Sequence, residues 1–99
     1  MLSAAQRSYL AGLASTKTAI LQLGKAGASD AFITQLDTLL TRHELVKLRF
    51  VDFKGEKREL SASLAESTGS DLVRVLGNTA IFYKRQSDPE KRQIVLPGD

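Results

Sequence analysis

The chain contains no cysteine, which removes disulfide frameworks, thiolate metal sites and thiol nucleophiles together and suits a reducing cytoplasm. Its single histidine, His43, has no second imidazole or thiolate with which to build a zinc site. Carboxylates such as Asp37 and Glu44 lack ligand spacing as well. Uninterrupted apolar stretches run to only a few residues, so no transmembrane segment is expected. The opening Met1-Leu2-Ser3-Ala4-Ala5-Gln6-Arg7 does not follow the charged-then-apolar plan of a signal peptide. Neither a G-x-S-x-G nucleophile turn nor the Gly-Lys-Ser/Thr ending of an ATPase phosphate loop occurs. Internal repeats and low-complexity tracts are missing too. These absences argue against an enzyme, a resident metal or cofactor, and a membrane partner.

What is present is a chain of 99 residues with 42% hydrophobic and 25% charged side chains, the balance of one compact domain spanning residues 1–99. The net charge of +3 is modest, and its distribution matters more than its size. Through residue 50, Arg7, Lys17, Lys25, Arg42, Lys47 and Arg49 outnumber Asp30, Asp37 and Glu44. A second cluster, Lys84, Arg85, Lys91 and Arg92, follows the last clear strand. A polyanionic partner fits this pattern, and an acidic small molecule is also compatible with it.

Hydrophobic periodicity divides the chain into alternating elements. Ser3 can cap a first helix that runs to about Ser15, with Tyr9, Leu10, Leu13 and Ala14 at helical spacing. Thr18 to Leu23 reads as a short buried strand. Ser29 then caps a second helix, Asp30 complements its dipole, and Phe32, Ile33, Leu36, Leu39 and Leu40 form its apolar stripe. Arg42 and His43 close it at the negative pole. Leu45 to Phe53 alternates, with Val46, Leu48 and Phe50 on one face and Leu45, Lys47, Arg49 and Val51 on the other. A third helix from about Lys57 to Ser67 stops at Gly69. Leu72–Leu76 and Thr79–Lys84 form a hairpin about Gly77-Asn78. Residues 86–99 read as a C-terminal loop in which Ile94-Val95-Leu96 could add a short edge strand. The resulting fold class is α/β, in the order α-β-α-β-α-β-β: a four-stranded mixed sheet with helices mainly on one face, two layers in all. Strands one and two, and strands two and three, are joined by parallel crossovers.

Gly24-Lys25-Ala26-Gly27 lies where the first strand gives way to the second helix. At a glycine frequency of about 7%, a G-x-x-G arises by chance in roughly every second chain of this length. Position and charge carry more weight than spacing. Glycines allow close approach, a helix N-terminus favours anions, and a merely structural turn has no use for Lys25. Lys47 and Arg49 either extend this positive surface or solubilise a sheet face. Lys84 and Arg85 either grip phosphates or end a strand in solvent. Among Phe50, Phe53, Phe82 and Tyr83, base stacking competes with core packing, and alternation assigns Phe50 to the core.

The chain resembles the YhbY/CRM family, named for chloroplast RNA splicing and ribosome maturation. The resemblance rests on Tyr9-Leu10-Ala11-Gly12-Leu13-Ala14, Leu23-Gly24-Lys25-Ala26-Gly27, His43-Glu44-Leu45-Val46-Lys47, Val75-Leu76-Gly77-Asn78-Thr79, Ile81-Phe82-Tyr83 and the terminal Ile94-Val95-Leu96-Pro97. Their shared order and spacing carry it. Two positions depart from the family pattern: Ala28 stands where a larger apolar residue is usual, and Ser15 where a histidine is common. The resemblance implies a fold like the C-terminal domain of translation initiation factor three and no enzymatic activity. It also implies a cytoplasmic RNA-binding role on ribosomal RNA or precursors of the large (50S) subunit, with the glycine loop in contact with RNA. The expected contact set is Gly24, Lys25, Ala26, Gly27, Arg42, Lys47, Arg49, Lys84 and Arg85, in a protein expected to be monomeric. The alternative is a protein–protein adaptor of ribosome assembly that uses the sheet face.

Overall fold

A computed structural model describes residues 2–98. Three helices and four strands appear in the expected order: α1 (Ala4–Ala14), β1 (Leu21–Leu23), α2 (Asp30–His43), β2 (Leu45–Phe50), α3 (Lys57–Thr68), β3 (Asp71–Leu76) and β4 (Thr79–Tyr83). Single 3₁₀ turns, Lys54–Glu56 and Pro89–Lys91, precede α3 and interrupt the tail. No helix among the described residues is long and apolar enough to cross a membrane.

The helix ends follow from local chemistry. Ser3 and Gln6 form a reciprocal capping box at α1, with bonds of 3.0 and 3.1 Å. Ser29 Oγ accepts the Phe32 amide at 3.2 Å and opens α2. Gly69 ends α3 in the left-handed region at φ 64°, and the Ser70 amide reaches back 2.9 Å to the Ala65 carbonyl. A side chain would be strained there, so glycine is the residue that stops this helix.

The sheet order is β1-β2-β4-β3. β1 runs parallel to β2, whereas β4 lies antiparallel to both β2 and β3. The crossover from β2 through α3 therefore leaves a gap one strand wide, which the returning β4 fills. α2 and α3 cover one face, where Val46, Leu48 and Phe50 of β2 and Ala80 and Phe82 of β4 meet Leu36, Leu40 and Leu64. Each large side chain buried there contributes about 1.5–3 kcal/mol.

The opposite face is not bare. α1 crosses it with Leu10, Ala11 and Ala14 against Leu45, Val73, Ile81 and Tyr83. The two-layer expectation thus describes α2 and α3, while α1 adds a partial third layer. Its cause is the second set of alternating positions, where Leu45, Ile81 and Tyr83 supply an apolar patch that only another element can bury. The tail joins this layer. Leu96 is buried in it and Ile94 packs against it, but the expected edge strand at 94–96 does not form. Tyr83 and Phe82 face opposite sides, and both are buried.

Two strands are shorter than their apolar runs. Before β1, the carbonyls of Ala14 and Lys17 accept from the Lys47 ammonium, and only the Ile20 amide reaches the β2 ladder, at Lys47 O. After Phe50, the amides of Val51 and Asp52 both turn onto the Leu23 carbonyl, at 3.0 and 3.1 Å, which ends the ladder.

The junction between α2 and β2 is held by Glu44. Its backbone adopts φ 62°, an uncommon conformation for a residue with a side chain. Only 1% of the residue is exposed. Its carboxylate accepts the amides of Gln86 at 3.0 Å and Ile94 at 3.1 Å, and also that of Gln93. Its carbonyl accepts the Lys84 amide at 2.8 Å. Replacing Glu44 by alanine strands three tail amides, so we expect a stability loss of about 3 kcal/mol in chemical denaturation. Amide exchange should accelerate first across residues 86–94; protection there equal to that of the unaltered protein would contradict this role.

Candidate nucleic-acid interface

Strand register sorts the basic residues between two ends of the sheet. Leu23 pairs with Phe50 and Arg49 with Thr79, so the glycine loop, the β2–α3 connection and the Gly77-Asn78 hairpin share one end. The Phe50 amide donates to the Asn78 carbonyl across it at 2.7 Å. Leu45 pairs with Tyr83 at the other end, which therefore holds Arg42, Lys84 and Arg85. The expected contact set does not form one patch.

At the loop end, the turn is closed by the Gly27 amide donating to the Gly24 carbonyl at 3.0 Å. Gly27 sits at φ 69°, where a side chain is strained. The amides of Lys25 and Ala26 find no acceptor among the described residues, and both residues are exposed. Lys25 makes no ion pair among those residues either. Asp30 already complements the α2 dipole in its first turn, so the anion-facing groups are the loop amides and Lys25. Ala28 is half-buried against the core beneath α2. The Phe53 ring lies beside the loop: a Cβ on Gly27 would stand 3.4 Å from Phe53 Cε2 and 3.6 Å from Phe53 Cζ.

Arg49 is exposed one step inside this end, in register with Gln22 on one side and Thr79 on the other. Thr79 pairs in turn with Leu76. The row Gln22–Arg49–Thr79–Leu76 crosses the whole sheet on the α1 side, carries no carboxylate, and leaves Leu76 54% exposed. The neighbouring row continues from Lys47 through Ile81 to Arg74, again without an acid. The first acidic residue of the chain is Asp30, so α1 and the segment leading into β1 add only positive charge.

Two of the other expected cations, Lys47 and Lys84, have partners inside the protein. Lys47 Nζ donates to the carbonyls of Ala14 at 3.3 Å and Lys17 at 3.2 Å, closing the C-terminal end of α1. Lys84 Nζ donates to Asp37 Oδ1 and to the Thr68 carbonyl, each at 2.9 Å, tying β4 to α2 and to the end of α3. Arg42 lines a groove of about 630 Å³ at the far end with Asp37, Gln86 and Lys91, a mixed-charge surface. Sequence reasoning assigned Lys47 and Lys84 to a ligand because strand position reveals a face but not a distant carbonyl. It missed Phe53 as part of the loop's surroundings, because residues 51–53 read as a continuation of β2.

The CRS1/YhbY (CRM) domain family model matches residues 2–84. The chain belongs to this family. It is 34% identical over 98 residues to "Probable RNA-binding protein YqeI" of Bacillus subtilis, covering 98% of this chain and 100% of that one. It is 27% identical over 97 residues to a Haemophilus influenzae protein named "RNA-binding protein", covering 97% and 95%. The solution structure of SAV1595 from Staphylococcus aureus superposes with a TM-score of 0.82 at 35% identity, covering 98% of this chain and 100% of that one. The CRM resemblance carried by the sequence motifs is thereby borne out, as is the α/β fold with its four-stranded mixed sheet.

The internal bonds of Lys47 and Lys84 give separate expectations for stability. Lys47→Met should lower unfolding free energy by about 1–2 kcal/mol, since two carbonyls at the end of α1 lose a charged donor. Lys84→Met should cost about 1 kcal/mol, because the partly exposed ion pair with Asp37 adds little beyond the Thr68 bond. Urea denaturation measures both, and values within error of the unaltered protein would show the bonds to be dispensable.

Proposed function

We propose that this chain binds RNA without catalysing a reaction, and that its target is ribosomal RNA in cytoplasmic precursors of the large subunit. The observation that carries this reading is the Gly24–Gly27 turn, which offers at an exposed corner two amides and a lysine with no partner among the described residues. Such a corner suits a phosphodiester, because amides and a mobile ammonium together satisfy an anion that glycine lets approach closely. The names of the CRM relatives support RNA as the partner class. Arg49 and its carboxylate-free row, Gln22–Arg49–Thr79–Leu76, extend the contact over the part of that sheet face beyond α1. Arg42 and Arg85, at the far end, contribute to long-range attraction rather than to this grip.

The adaptor reading draws on exposed Leu76 and Ile20 on the same face. Nuclease treatment separates the two, since an adaptor keeps its partner and an RNA binder loses it. Lys25→Ala should weaken binding to large-subunit ribosomal RNA fragments and reduce the salt slope by about 0.7–0.9, the share of one phosphate. Lys84→Met should leave that slope unchanged. A folded Lys25→Ala protein with the original affinity and slope would overturn the loop assignment.

A further inference from the structure

Phe53 is anomalous in three independent ways. Its backbone lies in the left-handed region at φ 56° and ψ 35°, a conformation uncommon for a bulky side chain. Its ring is 38% exposed and belongs to neither apolar core. That ring nevertheless lies beside the glycine loop, within 3.4 Å of where a Cβ on Gly27 would stand. The strained turn is secured on both sides: the Phe53 amide donates to Asp52 Oδ1 at 2.9 Å, and the Phe53 carbonyl accepts the Glu56 amide at 3.0 Å. Strain held this firmly around an exposed aromatic points to a use for the ring outside the fold.

We propose that Phe53 is a stacking platform for an unstacked nucleobase, so that the loop end of the sheet takes single-stranded rather than duplex RNA. The assignment rests on the reading of Gly24–Gly27 as a phosphate grip. With the backbone on the loop amides, the ring beside Gly27 stands where the base of an adjoining nucleotide can reach it. Lys54, next in the chain and exposed, adds a cation on the ring's flank. Exposed Val51, two residues earlier, offers a further apolar contact. A duplex keeps its bases stacked on one another and presents only phosphate and sugar here. A loop, bulge or strand end can place a base on the ring. The ligand class is therefore a short single-stranded segment, read by shape and stacking with little sequence preference.

The chain contains no tryptophan, so Phe53→Trp introduces a single indole reporter at the platform. Two probes suffice: a single-stranded oligoadenylate, and a ribose-phosphate oligomer of equal length without bases. Binding of both is followed independently by the anisotropy of a dye on the oligomer. The indole should be quenched at saturation by oligoadenylate and left unchanged by the abasic oligomer. In parallel, Phe53→Leu, which keeps an apolar side chain beside the loop, should weaken oligoadenylate binding on the order of ten-fold. It should leave abasic binding and the melting temperature unaltered. Saturable oligoadenylate binding with no quenching, or equal losses for the two oligomers in Phe53→Leu, overturns the platform and reduces Phe53 to a brace. Failure of the unaltered protein to bind either oligomer overturns the phosphate grip and the platform together.

Discussion

The buried carboxylate of Glu44 is the constraint on which the rest of the molecule is arranged. Its main chain ends α2, opens β2 and receives the amide that follows β4, while its side chain gathers the amides of the tail. A charge removed from water in this way is tolerable only when donors replace the lost hydration. Three backbone amides do so. The tail is thereby placed beside α1, where Leu96 and Ile94 complete an apolar layer that α1 alone leaves incomplete. One end of the sheet is thus spent on holding the fold together.

The other end carries the features available to a ligand. Connections at the glycine-loop end are short and turned, and Lys25, Ala26, Phe53 and Lys54 are exposed there. Lys47 and Lys84 illustrate the division. Both are positive and both lie on or beside the sheet, yet each ammonium is committed to backbone carbonyls at or just past a helix end. Positive charge on this protein therefore serves two purposes, and hydrogen-bond partners distinguish them where charge alone does not.

Much of this was legible in the sequence, for identifiable reasons. Ser3, Ser29 and Gly69 act on their own neighbours, so helix ends could be read locally. The alternation of Val46, Leu48 and Phe50 set one face of β2, and CRM motifs spread along the chain gave the family. What could not be read depends on contacts distant in sequence. Glu44 lies in a polar stretch at a helix end, and its burial appears only once residues 86–94 fold back onto it. α1 sits on the second face because apolar residues from β2, β3 and β4 converge there. Phe53 continues an apolar, strand-like run until the Leu23 carbonyl captures two successive amides and turns the chain away from the sheet.

β3 is an outer strand of this sheet, and its pairing with β4 slips at Val73, between Leu72 and Arg74. The Arg7 guanidinium of α1 occupies the carbonyls of Leu72 and Val73 at that irregularity. β1, the other outer strand, is three residues long. Neither border therefore offers a long, regular ladder onto which a second copy could add its own strand. The same arginine that fastens the first helix to the sheet thus also occupies part of the border where edge-to-edge strand addition would occur.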